Sequence, residues 1–250
     1  MNGDSNRSDV PLILFSGMGA DASVFLPQTL AFPTLTVPEW LTPNEGDDLT
    51  SYCARFAASL DPNRPCIVGG ASFGGIVALE MTRHLNALAC ILIGSVRGPH
   101  QLPKRIRLLR PFSPALDITP LTLLQKSAAS SAVAARNAGA KHLAGVARQF
   151  SDADADVLRW SARQILTWDS SYDDVDVRHI HGDRDNVFPI SCVEPDEIVA
   201  GGGHVISMTH GSQVNEFLRK HISQITAAYH GFYAMAFGTP SMFGDAGWPW

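Results

Sequence analysis

The sequence predicts an α/β fold: a mostly parallel central sheet with flanking helices and an inserted helical lid. Three observations carry this expectation. Short β-branched or apolar runs alternate with helical stretches along the chain. A glycine-framed serine, Gly70-Ala71-Ser72-Phe73-Gly74, stands at a strand-to-helix junction. Between two of the expected strands, about eighty residues carry helical pattern and no strand pattern, where a connecting loop of about 2–6 residues is usual.

Taken in order, strands are expected at Val10 to Ser16, Leu35 to Val37, Pro65 to Gly69, Ala89 to Gly94, Val177 to His181 and Glu197 to Ala200. Helices fill the gaps. Thr50 to Leu60 follows Glu45, Asp47 and Asp48, acidic residues that suit the positive end of a helix dipole; Phe73 to His84 leaves the glycine-rich turn; Gly211 to Ser223 closes the pattern. The core is thus assigned to residues 1–96 and 172–225 and the lid to residues 97–171. In the lid's last helix Ser151 is placed to cap, Asp152, Asp154 and Asp156 favour the dipole, and Leu158, Ala162, Ile165 and Leu166 share a face. An insertion leaving a strand's carboxyl end overhangs the place where open α/β sheets bind ligands. Residues 226–250 are set apart as an aromatic tail of uncertain order, with Tyr229, Phe232, Tyr233, Phe237, Phe243, Trp248 and Trp250 interrupted by Gly and Pro and no regular period.

Composition narrows the function. The 250 residues are 45% apolar and 17% charged, so a single domain can bury a large core and bulk disorder is excluded. No apolar run approaches the roughly 20 residues of a membrane span. The net charge is −5 with scattered Lys and Arg, so nucleic acid is not an expected partner. Lys104-Arg105-Ile106-Arg107-Leu108-Leu109-Arg110 is one basic amphipathic run, read as a solvated lid face, with contact to an anionic substrate or membrane surface as the alternative. Cys53, Cys66, Cys90 and Cys192 have no metal-type spacing and read as buried free thiols. Met1 to Asp9 lacks the apolar segment of a secretory signal, so the expected compartment is the cytoplasm. Oligomeric state is not set by anything in the sequence.

The chemistry centres on Ser72. A serine on a tight strand-to-helix turn takes a strained backbone conformation, and small neighbours let strand and helix approach without a Cβ clash. The setting fits, because Pro65 to Gly69 precedes it and Ile76 to Met81 follows. A weak nucleophile needs a base and an orienting acid. His204, after Gly201-Gly202-Gly203, is favoured as base over His181, which ends a strand, and His210, which precedes a helix. Asp185 is preferred over Asp183 as the acid, because Asp183 directly follows Gly182 and suits a turn. The remaining histidines, His84, His100, His142, His221 and His230, read as surface or helix-end residues. Oxyanion donors are expected from the backbone N–H groups of Phe73 and Met18, the latter in the loop Gly17-Met18-Gly19-Ala20-Asp21.

With these motifs the chain resembles the α/β-hydrolase superfamily, in particular small bacterial-type members with a helical lid, over about Pro11 to Phe217. Ile180-His181-Gly182-Asp183-Arg184-Asp185 and Gly203-His204 carry the rest of the likeness. The resemblance implies Ser72, Asp185 and His204 as the triad and Met18 and Phe73 as the oxyanion hole. The implied activity is that of a serine hydrolase acting through an acyl-enzyme on a small carboxylic ester, without cofactor or metal. The first loop lacks the His-Gly pair common in the superfamily, and a serine nucleophile points away from dehalogenase and epoxide-hydrolase chemistry. Trp160, Trp168 and Leu123-Leu124 are candidates to wall the substrate pocket.

Three readings compete. Gly17-Met18-Gly19-Ala20-Asp21-Ala22 fits a dinucleotide-binding G-x-G-x-x-A with Glu39 beyond the next strand, although Pro27 and Pro33 leave little room for the required helix. The same fold without turnover would be a ligand-binding protein. His179, His181 and Asp183 could converge on a metal, but no further ligands are spaced to complete a site.

Overall fold

The computed structural model describes residues 10–60, 63–117 and 153–237. Six strands form one sheet: β1 (Leu12–Phe15), β2 (Leu35–Thr36), β3 (Cys66–Ala71), β4 (Ala87–Ile93), β5 (Val177–Gly182) and β6 (Glu197–Val199), in the order β2-β1-β3-β4-β5-β6 with every pair parallel. All six expected strands are present, with ends moved by a few residues. The described α-helices are α1 (Leu26–Ala31), α2 (Leu49–Ala57), α3 (Phe73–Met81), α4 (Lys104–Arg107), α5 (Ala155–Thr167), α6 (Ile206–Thr209) and α7 (Gly211–Phe237).

Strand periodicity sorts the core into two layers. In β1, Ile13 and Phe15 face one side and Leu12 and Leu14 the other; in β3 and β4, Val68, Cys90 and Leu92 join the first side while Ile67, Ala89 and Ile91 join the second. The first layer is closed by α2, α3 and α5 through Tyr52, Phe56, Ile76 and Trp160, and the second by α7 through Val214, Phe217 and Leu218. Helix α3 is buried at all nine positions, which is why its sequence is apolar but for Glu80, whose Oε2 accepts from the Tyr172 hydroxyl, and carries no amphipathic stripe.

Local signals explain most helix starts. The Asp48 side chain accepts the Ser51 N–H at 2.8 Å while Ser51 Oγ answers the Asp48 N–H at 3.0 Å, a reciprocal cap on α2. In α5 the cap is Asp154, accepting from Asp156 and Val157; Ser151, the expected cap, lies outside the described residues. The buried face of α5 is Val157, Leu158, Trp160, Ser161 and Gln164, with Ala162, Ile165 and Leu166 half-buried. The stripe is therefore rotated from the expected one, because the two tryptophans, Trp160 and Trp168, take the inward positions.

Two differences are larger. Helix α7 continues to Phe237, past the expected end at Ser223, since no Pro interrupts 224–237 and alanines sustain the helix through a single glycine. Tyr229 and Tyr233, one turn apart, bring their rings to 6.2 Å; residues 238–250 lie outside the described residues. His221, expected at the surface, is 6% exposed against Phe217, because it falls on the inward face of α7. Of the interval expected as the lid, residues 97–117 and 153–171 are described; Leu123-Leu124 are not. No described helix is long and apolar enough to cross a membrane.

Candidate active site

Ser72 joins β3 to α3 with φ 54° and ψ −123°, and it is the one described residue other than glycine with positive φ. An L-residue there is strained and persists only because its surroundings hold it. Its N–H donates to Ile93 O at 3.2 Å, and its carbonyl accepts from Gly75 N–H at 3.0 Å and Ser95 Oγ–H at 2.7 Å. The flanking glycines are required by contact: a Cβ on Gly70 would lie 2.3 Å from the Gly74 carbonyl, and one on Gly74 would lie 2.1 Å from Phe15 O. Helix α3 can start against the end of β1 only with both positions bare.

Asp185 follows β5 and His204 follows β6, at the same end of the sheet as Ser72. His204 Nδ1 lies 2.8 Å from Asp185 Oδ2, and His204 Nε2 lies 2.8 Å from Ser72 Oγ. A carboxylate only accepts, so Nδ1 carries the proton, and the neutral ring offers its Nε2 lone pair to the serine hydroxyl. Asp185 Oδ1 accepts the N–H groups of Val187 and Phe188 at 2.7 and 2.9 Å. Burial would raise the Asp185 pKa, but hydrogen bonds from His181 and His204 outweigh it and hold the carboxyl well below its ordinary value. The Phe188 ring packs edge-on against His204 at 5.5 Å.

The rejected candidates have other work. Asp183 Oδ1 accepts the Gly201 N–H at 2.7 Å, tying the two loops together. His210 Nδ1 meets Thr209 Oγ1 at 2.9 Å.

Met18 lies in the loop after β1, closed by Ala20 N–H donating to Gly17 O at 3.0 Å, and a Cβ on Gly17 would touch Ser72 Cβ at 3.5 Å. The loop carrying Met18 and the start of α3 carrying Phe73 thus flank Ser72 from two sides.

The Alpha/beta hydrolase family profile matches residues 12–217. The chain belongs to that family. Its fold is similar to that of a thermophilic esterase from Thermogutta terrifontis (14% identity, TM-score 0.66, covering 88% of this chain and 91% of that one). It is likewise similar to a carboxylesterase of Nitrososphaera gargenis (16%, 0.64, 91% and 94%) and to the enol-lactonase of Burkholderia xenovorans (13%, 0.64, 88% and 94%). No curated protein matches the sequence.

The dinucleotide alternative meets an obstacle in this α/β hydrolase. Asp21 occupies the start of the short helical turn after β1, its carboxylate accepting the Ser23 N–H at 2.8 Å, so a negative charge already stands where a pyrophosphate would need helix N–H groups. A cleft of about 410 Å³ beside it is lined by Ser16, Asp21, Glu39 and Trp40 among others, which places two carboxylates at its wall.

Trp160 and Trp168 are 8% and 5% exposed and belong to the first core layer. Trp160 packs on Tyr52 at 4.1 Å and edge-on to Phe73 at 5.8 Å, with Nε1–H donating to Asp47 O at 2.8 Å. It therefore stands one residue behind Ser72, whereas Trp168 packs on Tyr172 at 6.1 Å. Sequence reasoning missed Trp40, which stacks on Phe73 at 5.6 Å and donates Nε1–H to Ser16 Oγ at 2.8 Å. A tryptophan in the loop after β2 carries no local signal of this role.

Proposed function

We propose that this α/β hydrolase is a serine hydrolase of small carboxylic esters, with Ser72 as nucleophile, His204 as base and Asp185 as the acid that orients it. The observation that carries the proposal is the continuous hydrogen-bonded run from Ser72 Oγ through both nitrogens of His204 to Asp185, each contact 2.8 Å, with Ser72 on a strained turn. Ser72 Oγ attacks the ester carbonyl carbon as its proton passes to His204 Nε2, and the imidazolium is stabilised by the Asp185 carboxylate. The N–H groups of Met18 and Phe73 receive the oxyanion. The bond to the alcohol oxygen breaks, and His204 returns the proton to it. Water, deprotonated by His204, then attacks the acyl-enzyme; the carboxylic acid leaves and Ser72 regains its proton.

One supporting feature fits a cytoplasmic setting: Cys53, Cys66 and Cys90 are buried and Cys192 half-buried, and no disulfide joins any of them. Burial pushes the Cys53 and Cys90 thiols up, so they stay protonated and do not compete as nucleophiles. The test is labelling with a fluorophosphonate probe alongside a panel of p-nitrophenyl esters, a thioester, a lactone and an amide. The expected result is labelling at Ser72 and turnover led by the short esters. Absence of both from folded protein would leave the ligand-binding reading.

A further inference from the structure

The proposed triad uses one histidine, yet two more stand behind it. His181, at the end of β5, is fully buried. Its Nε2 lies 2.8 Å from the Phe188 carbonyl and 3.3 Å from Asp185 Oδ2, while its Nδ1 lies 3.0 Å from Nε2 of His179. A ring nitrogen facing two oxygen acceptors carries a proton, because a lone pair there would be repelled by both. The shorter contact makes Phe188 O the main acceptor and Asp185 Oδ2 the second. His179 is itself buried, and that burial pushes its pKa down to about 3, so it sits behind His181 as a neutral ring that pins its orientation.

Phe188 is the residue through which this matters. Its carbonyl receives His181, its N–H binds Asp185 Oδ1, and its ring packs on His204. His181 therefore touches, directly or through one residue, every element that sets the Asp185–His204 contact. Asp185 Oδ2 is shared between the two imidazoles.

We propose that His181 is a positioning residue: its Nε2–H fixes the Phe188 loop and the Asp185 carboxylate so that Oδ2 is held in line with His204. The proposal rests on the triad reading above but concerns a residue that never meets substrate. A role of this kind acts on the chemical step and leaves substrate binding alone. His181→Gln keeps an N–H donor near the position of Nε2, His181→Asn falls one carbon short of it, and His181→Leu removes it.

The experiment combines thermal melts, p-nitrophenyl ester kinetics, fluorophosphonate labelling rates and the low-field proton resonance of the Nδ1–H between His204 and Asp185. His181→Leu and His181→Asn are expected to lower kcat and labelling rate about 10 to 100-fold with KM unchanged and to shift or broaden the resonance; His181→Gln should recover most of each. If His181→Leu fails to fold, the Gln and Asn pair carries the comparison, since both are polar amides that differ in reach. Native kcat in folded His181→Asn would overturn the proposal. So would equal losses in folded Gln and Asn variants, or a loss that merely follows the folded fraction. Failure of the native chain to label would sink the nucleophile reading separately, because the resonance needs no substrate and still reports whether His181 governs the Asp185–His204 contact.

Discussion

Strands β1, β3, β4 and β5 bury side chains on both faces of the sheet, whereas the described parts of the segment between β4 and β5 divide, α5 packing into the first core layer and the stretch around α4 staying open to solvent. Helix α4 buries none of its four residues, and Leu108, Leu109 and Phe112 beyond it stay exposed. Arg105 reaches across to the Asn186 and Val187 carbonyls, and α5 is held by Trp160 and Gln164, both donating to Asp47 O. The comparison teaches where precision resides. All five residues proposed for chemistry lie in the loops or at the helix start that leave the rigid sheet, and the segment between β4 and β5 approaches them through Trp160 packed on Phe73. Positioned catalytic groups need a stiff support.

The largest effect that would test this division is at the sheet. Ser72→Ala is expected to lower kcat roughly 10⁴ to 10⁶-fold and abolish fluorophosphonate labelling with an unchanged melting temperature. Retention of a tenth of the activity would remove Ser72 from the mechanism.

Asp185→Asn should keep the shape of the loop but lose the acceptor that fixes the His204 tautomer, for a fall in kcat of roughly 10³ to 10⁴-fold. Asp183→Asn, which alters only the tie to Gly201, should leave kcat nearly intact. A larger loss from Asp183 than from Asp185 in steady-state kinetics would reverse the assignment.

The two tryptophans of the insertion sharpen the contrast. Each replacement by Ala should lower stability by about 3–5 kcal/mol in chemical denaturation, as for buried aromatics generally. Trp160→Ala should also change the relative kcat/KM among esters of different size, because it backs Phe73; Trp168→Ala, which packs on Tyr172, should not. Equal selectivity changes from both would mean that the whole segment senses substrate.

The remaining effect belongs to the sheet again, emerges only on acidification and is read through pH. His179 is neutral when folded, with its pKa lowered from 6.5 to about 3 by burial, so the unfolded chain binds more protons as the pH falls below 6.5. Its contribution is fully present above that pH and is lost progressively down to about pH 3, at about 1.4 kcal/mol per pH unit for one proton. Melting temperature should start to fall near pH 6.5, and His179→Gln should flatten that limb. A flat profile from pH 6.5 to 4 in the native chain would show that His179 takes up no proton on unfolding.

Much of this was legible from local pattern. The strands followed from short apolar runs because a buried parallel strand needs little else, and the serine turn followed from small residues on both sides because only they allow the close approach of α3 to β1. The α5 stripe was misjudged by periodicity alone: Trp160 and Trp168 took the inward face because Tyr52, Phe73 and Tyr172, distant in sequence, offered them partners. Trp40 was missed for the same reason.

By itself, then, the amino-acid order determined an α/β architecture and a short list of chemically apt residues, since hydrophobic period, turn-forming glycines and capping carboxylates act within a few residues of one another. The tertiary structure alone decided which carboxylate meets His204, that Asp183 instead binds a loop N–H, that His181 backs Asp185 and that Trp160 stands behind Ser72. Those outcomes depend on parallel register, which aligns the carboxyl ends of β3, β5 and β6 across more than a hundred residues of chain and brings Ser72, Asp185 and His204 within hydrogen-bonding distance. No local rule specifies a contact that exists only once non-adjacent strands have paired.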